Sequence, residues 1–149
     1  MKIEQEISQK KFRNPWQKSV INLLFTHSWL QLSLKEYMKE YGITPQQYNV
    51  LKILKGQGGN PVSTCVVRDR MLDKMSDVSR IVARLQEKGL VEVARAHHDK
   101  RLVDILISSK GVALIDEMDA NTQTMDSLIQ NLSEEEATQL SDLLDKMRG

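Results

Sequence analysis

The chain has 149 residues, 40% hydrophobic and 28% charged, with a net charge of +1; that suffices for one well-packed core and leaves little for a second. It has no apolar run of about eighteen residues and no leader with a charged start, apolar middle and small-residue cleavage site, so neither a membrane span nor export is expected and a cytoplasmic location is the default. One cysteine, Cys65, cannot form an internal disulfide, and three histidines are a poor start for a four-ligand zinc site, so no metal or other cofactor is expected.

Residues 1 to 13 are charged and weakly patterned, which predicts a frayed end or an arm that docks on a partner. From Pro15 to Glu40 the pattern becomes helical. One apolar stripe runs through Trp16, Val20, Leu23, His27, Leu30, Leu34 and Met38, and a second through Ile21, Phe25, Trp29 and Leu32. A helix with two apolar faces needs two things to pack on. Its own core can cover one, and a second copy of the chain is the economical cover for the other.

Thr44-Pro45-Gln46-Gln47 opens the next helix with a capping residue, a proline suited to the first turn and a glutamine at the reciprocal position of a capping box. That helix continues through Tyr48, Val50, Leu51, Ile53 and Leu54 and ends in the turn-forming run from Gly56 to Pro61. Ser63 or Thr64 caps a third helix through Cys65, Val66, Val67 and Arg68 to Met71-Leu72. A break at Asp73-Lys74-Met75 follows. The next helix hides Val78, Ile81, Val82 and Leu85 on one side and turns Ser76, Arg80, Ala83 and Glu87 outward, with Ser79 and Arg84 flanking them. Helix, turn, helix, break and an outward-facing helix thus follow one another in the order of a helix-turn-helix, and the outward face suits the floor of a DNA groove.

Gly89 sits where a helix ends in a left-handed residue, with Leu90 at the position of the associated apolar contact. Two strands follow, one placing Val91 and Val93 on a common face and the other Val103, Ile105 and Ile107. Between them Arg95-Ala96-His97-His98-Asp99-Lys100-Arg101 forms a polar, basic tip that cannot be core. Ser108 then caps a long helix bearing Val112, Ile115, Met118, Thr122, Met125, Ile129 and Leu132. Ser133-Glu134-Glu135-Glu136 is a second capping box, opening a last helix with Ala137, Leu140, Leu143, Leu144 and Met147 on one face.

The small net charge conceals a strong partition. Residues 1 to 43 carry a balance of +3, residues 44 to 111 a balance of +5, and residues 112 to 149 a balance of −7. Positive charge is concentrated where the helix-turn-helix and hairpin lie, and there it would displace counterions from a phosphate backbone.

Val78-Ser79-Arg80-Ile81-Val82-Ala83-Arg84-Leu85 with Lys88-Gly89-Leu90-Val91, then Asp99-Lys100-Arg101, then Ile107-Ser108-Ser109-Lys110-Gly111, resemble in order and spacing the recognition helix, the Asp-x-Arg wing signature and the Leu-Thr-x-x-Gly closure of the MarR family of bacterial transcription regulators. The resemblance covers nearly the whole chain. It departs in the break before the recognition helix, where the family often has glycine and this chain has Leu72-Asp73-Lys74. It departs again where Ile107-Ser108 replaces Leu-Thr while keeping an apolar end and a hydroxyl cap.

The fold this implies is mainly α with a small β-hairpin wing. Residues 1–149 form a single domain, with a winged helix-turn-helix lobe over 44–111 and dimerisation helices in 1–43 and 112–149. The implied function is that of a homodimeric, sequence-specific regulator on pseudo-palindromic double-stranded DNA, acting as a repressor responsive to a small aromatic effector. A winged-helix dimer that binds proteins without reading DNA is the alternative. An enzyme is not expected, since no phosphate-cradling loop, activated nucleophile or paired carboxylates stand out.

Arg80 is the best candidate for base readout, because a guanidinium in the first turns of a recognition helix can bond guanine O6 and N7 together. Ser76, Asp77 and Ser79 are candidates for bases or phosphates and equally for helix caps. Arg84 is expected on a phosphate or paired with Glu87 or Asp77. Ser63 and Thr64 at the start of the third helix, and Arg95, His97, His98, Lys100 and Arg101 in the wing, complete the candidate DNA contacts. Asp99 is expected to hold the wing by pairing with an arginine. His97 and His98 are expected to strengthen phosphate contact on protonation rather than to bind metal.

Sensors of this family that use a thiol carry it on the first helix, and this chain has none there. Cys65, among Val62, Val66 and Val67, is expected to be a small buried hydrophobe. Trp16, His27, Trp29 and Tyr48 are conceivable effector contacts, with packing the simpler role for each.

Overall fold

The computed structural model describes residues 1–95, 103–121 and 125–149. The chain forms α1 (Ile3–Glu6), α2 (Pro15–Lys39), α3 (Pro45–Lys55), β1 (Val62–Ser63), α4 (Thr64–Arg70), α5 (Val78–Glu87), β2 (Val91–Arg95), β3 (Val103–Ile107), α6 (Ser109–Ala120), a 3-10 turn (Ser127–Ile129) and α7 (Glu134–Arg148). Helices therefore dominate, with one small antiparallel sheet in the order β1-β3-β2.

Local chemistry sets the helix starts. Asn14 accepts from the Gln17 N–H at 2.8 Å to open α2. In the α3 box the Thr44 hydroxyl accepts from the Gln47 N–H while the Thr44 N–H donates to Gln47 Oε1, both at 3.2 Å. Ser133 and Glu136 make the equivalent reciprocal pair at α7. Each bond satisfies an amide that the helix itself leaves without an acceptor.

The hairpin register follows the alternation of its sequence. Val91 lies opposite Ile107, Val93 opposite Ile105 and Arg95 opposite Val103, which stacks the apolar members of both strands on one face. Val62 and Ser63 add a third, two-residue strand opposite Ile105 and Asp104. Sequence patterning did not reveal that strand, because two residues are too few to show a period.

One continuous core joins Met38, Val50, Leu51, Leu54, Val67, Met71, Val82, Leu85, Ile105, Ile115 and Met118. Gly111 lets α6 reach this core. A Cβ there would lie 2.3 Å from the Leu90 carbonyl oxygen and 2.8 Å from Ile107 Cγ1, so only glycine permits the contact. Lys52 and Lys55 on α3 meet Asp119 on α6 at 2.9 Å each, and Lys55 also meets Asp116 at 2.6 Å. Burial raises the Asp119 pKa, but the two lysines outweigh it and hold the carboxyl below its usual range.

Several sequence expectations are corrected. The helix opened by Ser108 stops at Ala120 rather than running to Leu132, with Asn121 at its end and a 3-10 turn at Ser127–Ile129. The third helix ends at Arg70, before Met71-Leu72. Cys65 is exposed, because α4 points Val67 into the core and thereby turns Cys65, two positions earlier, outward. The N-terminal stretch contains one helical turn, tied to α2 by Glu4 and Lys18 at 2.6 Å.

The largest departure concerns α2. Its own core was expected to cover one of the two stripes, yet Met38 alone is buried, with Leu34 and Tyr37 packed against the core near it. Trp16 is 78% exposed, and Val20, Leu24, Phe25, Trp29 and Leu32 are exposed as well. On α7, Leu140, Leu143 and Met147 are also exposed, and that helix buries no residue.

Candidate nucleic-acid interface

The helix α5 is held at both ends. Asp77 caps its start, accepting from the Arg80 N–H at 3.1 Å. At its end Gly89 takes a φ of +69°, its N–H donates to the Gln86 carbonyl, and the Leu90 N–H donates to the Leu85 carbonyl, both at 2.9 Å. That pair of bonds closes the helix in the left-handed geometry glycine favours. Ser108 fastens this end to α6, its hydroxyl donating to the Gly89 carbonyl at 2.7 Å and accepting from the Gly111 N–H at 3.0 Å.

Between these ends the two sides of α5 differ as the sequence predicted, except that Ser76 precedes the helix, which starts at Val78, and is half-buried. Val78, Val82 and Leu85 are buried and Ile81 is half-buried, while Ser79, Arg80, Ala83, Arg84 and Glu87 are exposed. Lys88, just past the helix, ties it to the α2–α3 turn by donating to the Gly42 carbonyl and, at 3.1 Å, to the buried Gln47 side chain. A helix fastened at both ends thus presents one polar face on which Arg80 and Arg84 outnumber Glu87.

The candidate residues separate into three groups. Ser76, Asp77, Arg80 and Arg84 line one open groove with Thr44, Gln46 and Gln47 from the start of α3. Within it Ser76 donates its hydroxyl to Asp73 Oδ2 at 2.9 Å, Asp77 caps the helix, and Arg84 pairs with Glu87 at 2.9 Å. Among the described residues the Arg80 guanidinium has no hydrogen-bonding or ion-pair partner. Ser79 is exposed beside it.

Ser63 and Thr64 form the second group, away from that groove at the start of α4, where the Ser63 hydroxyl accepts from the Val66 N–H at 3.4 Å. The third group is the wing. Arg95 ends β2, and His97, His98, Lys100 and Arg101 lie outside the described residues, as does Asp99.

The sequence marks Thr44 and Gln46 only as residues that start a helix. Their place beside Arg80 depends on how α3 crosses α5, which no local pattern encodes. Of the aromatic candidates, Trp16 and Trp29 are exposed on α2 and Tyr48 packs on the core. His27 lines a second open groove with Gln31 and Lys35 of α2 and Pro45 and Gln46 of α3.

Residues 41–102 match the model of the MarR family. The transcriptional repressor MdtR of Bacillus subtilis is 32% identical over 121 residues, which span 79% of this chain and 76% of the relative. The chain belongs to the MarR family. MarR-family structures share the fold over most of its length. A mutant of Escherichia coli MarR in complex with operator DNA superposes with a TM-score of 0.75 at 21% identity, covering 99% of each chain. BpsR of Bordetella bronchiseptica, whose DNA binding is regulated by 6-hydroxynicotinic acid, superposes with a TM-score of 0.75 at 25% identity, covering 88% of this chain and 99% of that one. In MarR terms, α3, α4 and α5 with the β2–β3 hairpin form the winged helix-turn-helix fold. No helix among the described residues is long and apolar enough to cross a membrane.

Proposed function

We propose that this chain is a sequence-specific regulator of transcription that represses by binding a pseudo-palindromic operator as a homodimer and is released by a small aromatic effector. One observation carries the reading. The exposed side of a helix capped at both ends holds Arg80, whose guanidinium has no partner among the described residues and is therefore available for a guanine edge.

The remaining roles follow from charge and position. Ser76, Asp77 and Ser79 flank Arg80 at the start of the helix, where base and phosphate contacts compete with capping. Arg84, one turn on, exchanges Glu87 for a phosphate. Ser63 and Thr64 at the start of α4, and Arg95, His97, His98, Lys100 and Arg101 in the wing, supply backbone contacts that position the lobe. The uncovered apolar faces of α2 and α7 support the dimer, since water-facing tryptophan and leucine in such numbers call for a partner. The α2–α3 groove with His27 and Lys35 suits a ring bearing an acidic group. Such an effector would act by changing the spacing of the two lobes.

Selection of duplexes from a random pool at two salt concentrations tests this reading. The expected product is an inverted repeat whose half-sites are about one helical turn apart. Arg80→Ala is expected to cost about 1–3 kcal/mol and to relax one base position, whereas Lys100→Ala weakens all sequences alike and lowers the salt slope by about one. A folded dimer that enriches no motif would be an interaction module instead.

A further inference from the structure

The break between α4 and α5 carries two side chains that none of these roles uses. Leu72 is 86% and Met75 93% exposed, although the backbone that bears them is firmly held. The Leu72 N–H donates to Asn49 Oδ1 of α3 at 2.9 Å. Asp73 Oδ1 accepts from the Met75 N–H at 3.0 Å, and the Ser76 N–H closes on the Asp73 carbonyl at 3.2 Å. Lys74 Nζ donates to the Asp69 carbonyl at 2.6 Å. The result is a tight turn with Asp73 at its base and Lys74-Met75 at its tip. The Met75 amide and then the Ser76 hydroxyl keep the Asp73 carboxyl below its usual range.

Rigid display of two large apolar side chains to water is unfavourable unless something covers them. The surroundings of this tip select the cover. Asp77, two residues after Met75, caps the recognition helix, so the tip is continuous with the face assigned to the major groove. Arg70, Lys74 and Arg80 balance Asp69, Asp73 and Asp77 along this stretch, and the Asp73 and Asp77 carboxylates are engaged by backbone N–H groups while the Arg80 guanidinium has no partner among the described residues. Asp73 and Ser76 of the turn line the same groove as Arg80 and Arg84, and an apolar tip on the rim of that groove fits a surface that is anionic outside and offers apolar groups within. In the major groove the apolar group on a base edge is the thymine C5 methyl.

We propose that Leu72 and Met75 pack against thymine methyl groups in each half-site, so that part of the sequence preference is read by the turn rather than by α5. This rests on the DNA-binding reading above, and its test separates the two. In the selected operator, each thymine is replaced in turn by deoxyuridine, which removes the methyl and nothing else. At one or two positions per half-site the unmodified protein should bind about fourfold more weakly, the worth of one buried methyl group. That loss should vanish in Leu72→Ala or Met75→Ala and persist in Arg80→Ala.

A selected half-site without thymine, a flat uracil scan, or a loss unchanged in both alanine variants overturns the proposal while Arg80-dependent binding stands. So does a shift of either variant from dimer to monomer in sedimentation, since the pair would then belong to a protein interface. Failure to enrich any duplex overturns both readings together.

Discussion

The α5 helix and the α2 helix make opposite use of their apolar residues. In α5 the apolar side is buried by the chain's own core and the polar side is left to solvent, so the element is complete within one subunit. In α2, twenty-five residues long, burial is confined to Met38 near one end, and most of its apolar surface faces water. The same contrast holds between α6, which buries Gly111, Ile115 and Met118, and α7, which buries nothing. One half of the molecule is a packed lobe with one polar face, and the other keeps apolar side chains exposed on α2 and α7. The sequence distinguishes the one-sided α5 from the two-striped α2; what it does not show is which apolar stripe the fold can reach.

The sharpest way to break this comparison is a charge on the half with exposed apolar side chains. Leu24→Arg on α2 is expected to cost about 3–5 kcal/mol of association, the scale of an unpaired buried charge. Sedimentation should then show monomers, while the melting of the lobe is largely kept. If the variant remains dimeric, the exposed face of α2 is not the interface. The packed half should respond in the reverse manner. Gly111→Ala forces a Cβ onto the Leu90 carbonyl and is expected to lower stability by about 1–3 kcal/mol, read as a fall in melting temperature with association at high concentration intact. Unchanged melting would mean that α6 can slide away from Leu90.

The smallest effect concerns the lysine–aspartate cluster that joins α3 to α6. Asp119 is held below its ordinary pKa, so its contribution to stability is present above the unfolded carboxylate value and is lost as pH falls through the folded one. Lys55 is raised, its largest cause being the bond to Asp116, so its contribution is present below the ordinary lysine value and is lost as pH rises through the folded one. Asp119→Asn is therefore expected to cost about 1 kcal/mol or less at neutral pH, because the cluster is partly solvated. The difference from the parent protein should close in acid. A cost that stays constant down to the acid range would assign the effect to packing rather than charge.

Much of the winged helix-turn-helix was legible in the sequence for identifiable reasons. The positions Val78, Ile81, Val82 and Leu85 have a helical period, and Val103, Ile105 and Ile107 have a strand period, so each element announces both its type and its inner face. Caps at Thr44, Ser108 and Ser133 and the stop at Gly89 are local chemistry with local signals. The missed features share a different cause. The strand at Val62–Ser63 exists because Ile105 and Asp104 are alongside it. Thr44 and Gln46 join the Arg80 groove because α3 crosses α5 there. The apolar environment expected for Cys65 failed because valine neighbours in sequence occupy different sides of a helix in space.

What the sequence determined by itself is the type and inner face of the strongly periodic elements, the capped starts of the helices, and the polar side of α5, since all of these follow from hydrogen bonds and periodicities spanning a few residues; the two-residue strand at Val62–Ser63 and the end of α6 at Ala120 were not among them. Only the tertiary structure decided which apolar faces are satisfied within the chain, how closely α6 approaches Leu90, and that Leu72 and Met75 stand in water on a fixed turn. Those outcomes depend on contacts between residues far apart in sequence. The hydrophobic effect that drives such contacts is non-directional, so the sequence marks a residue as apolar without naming its neighbour.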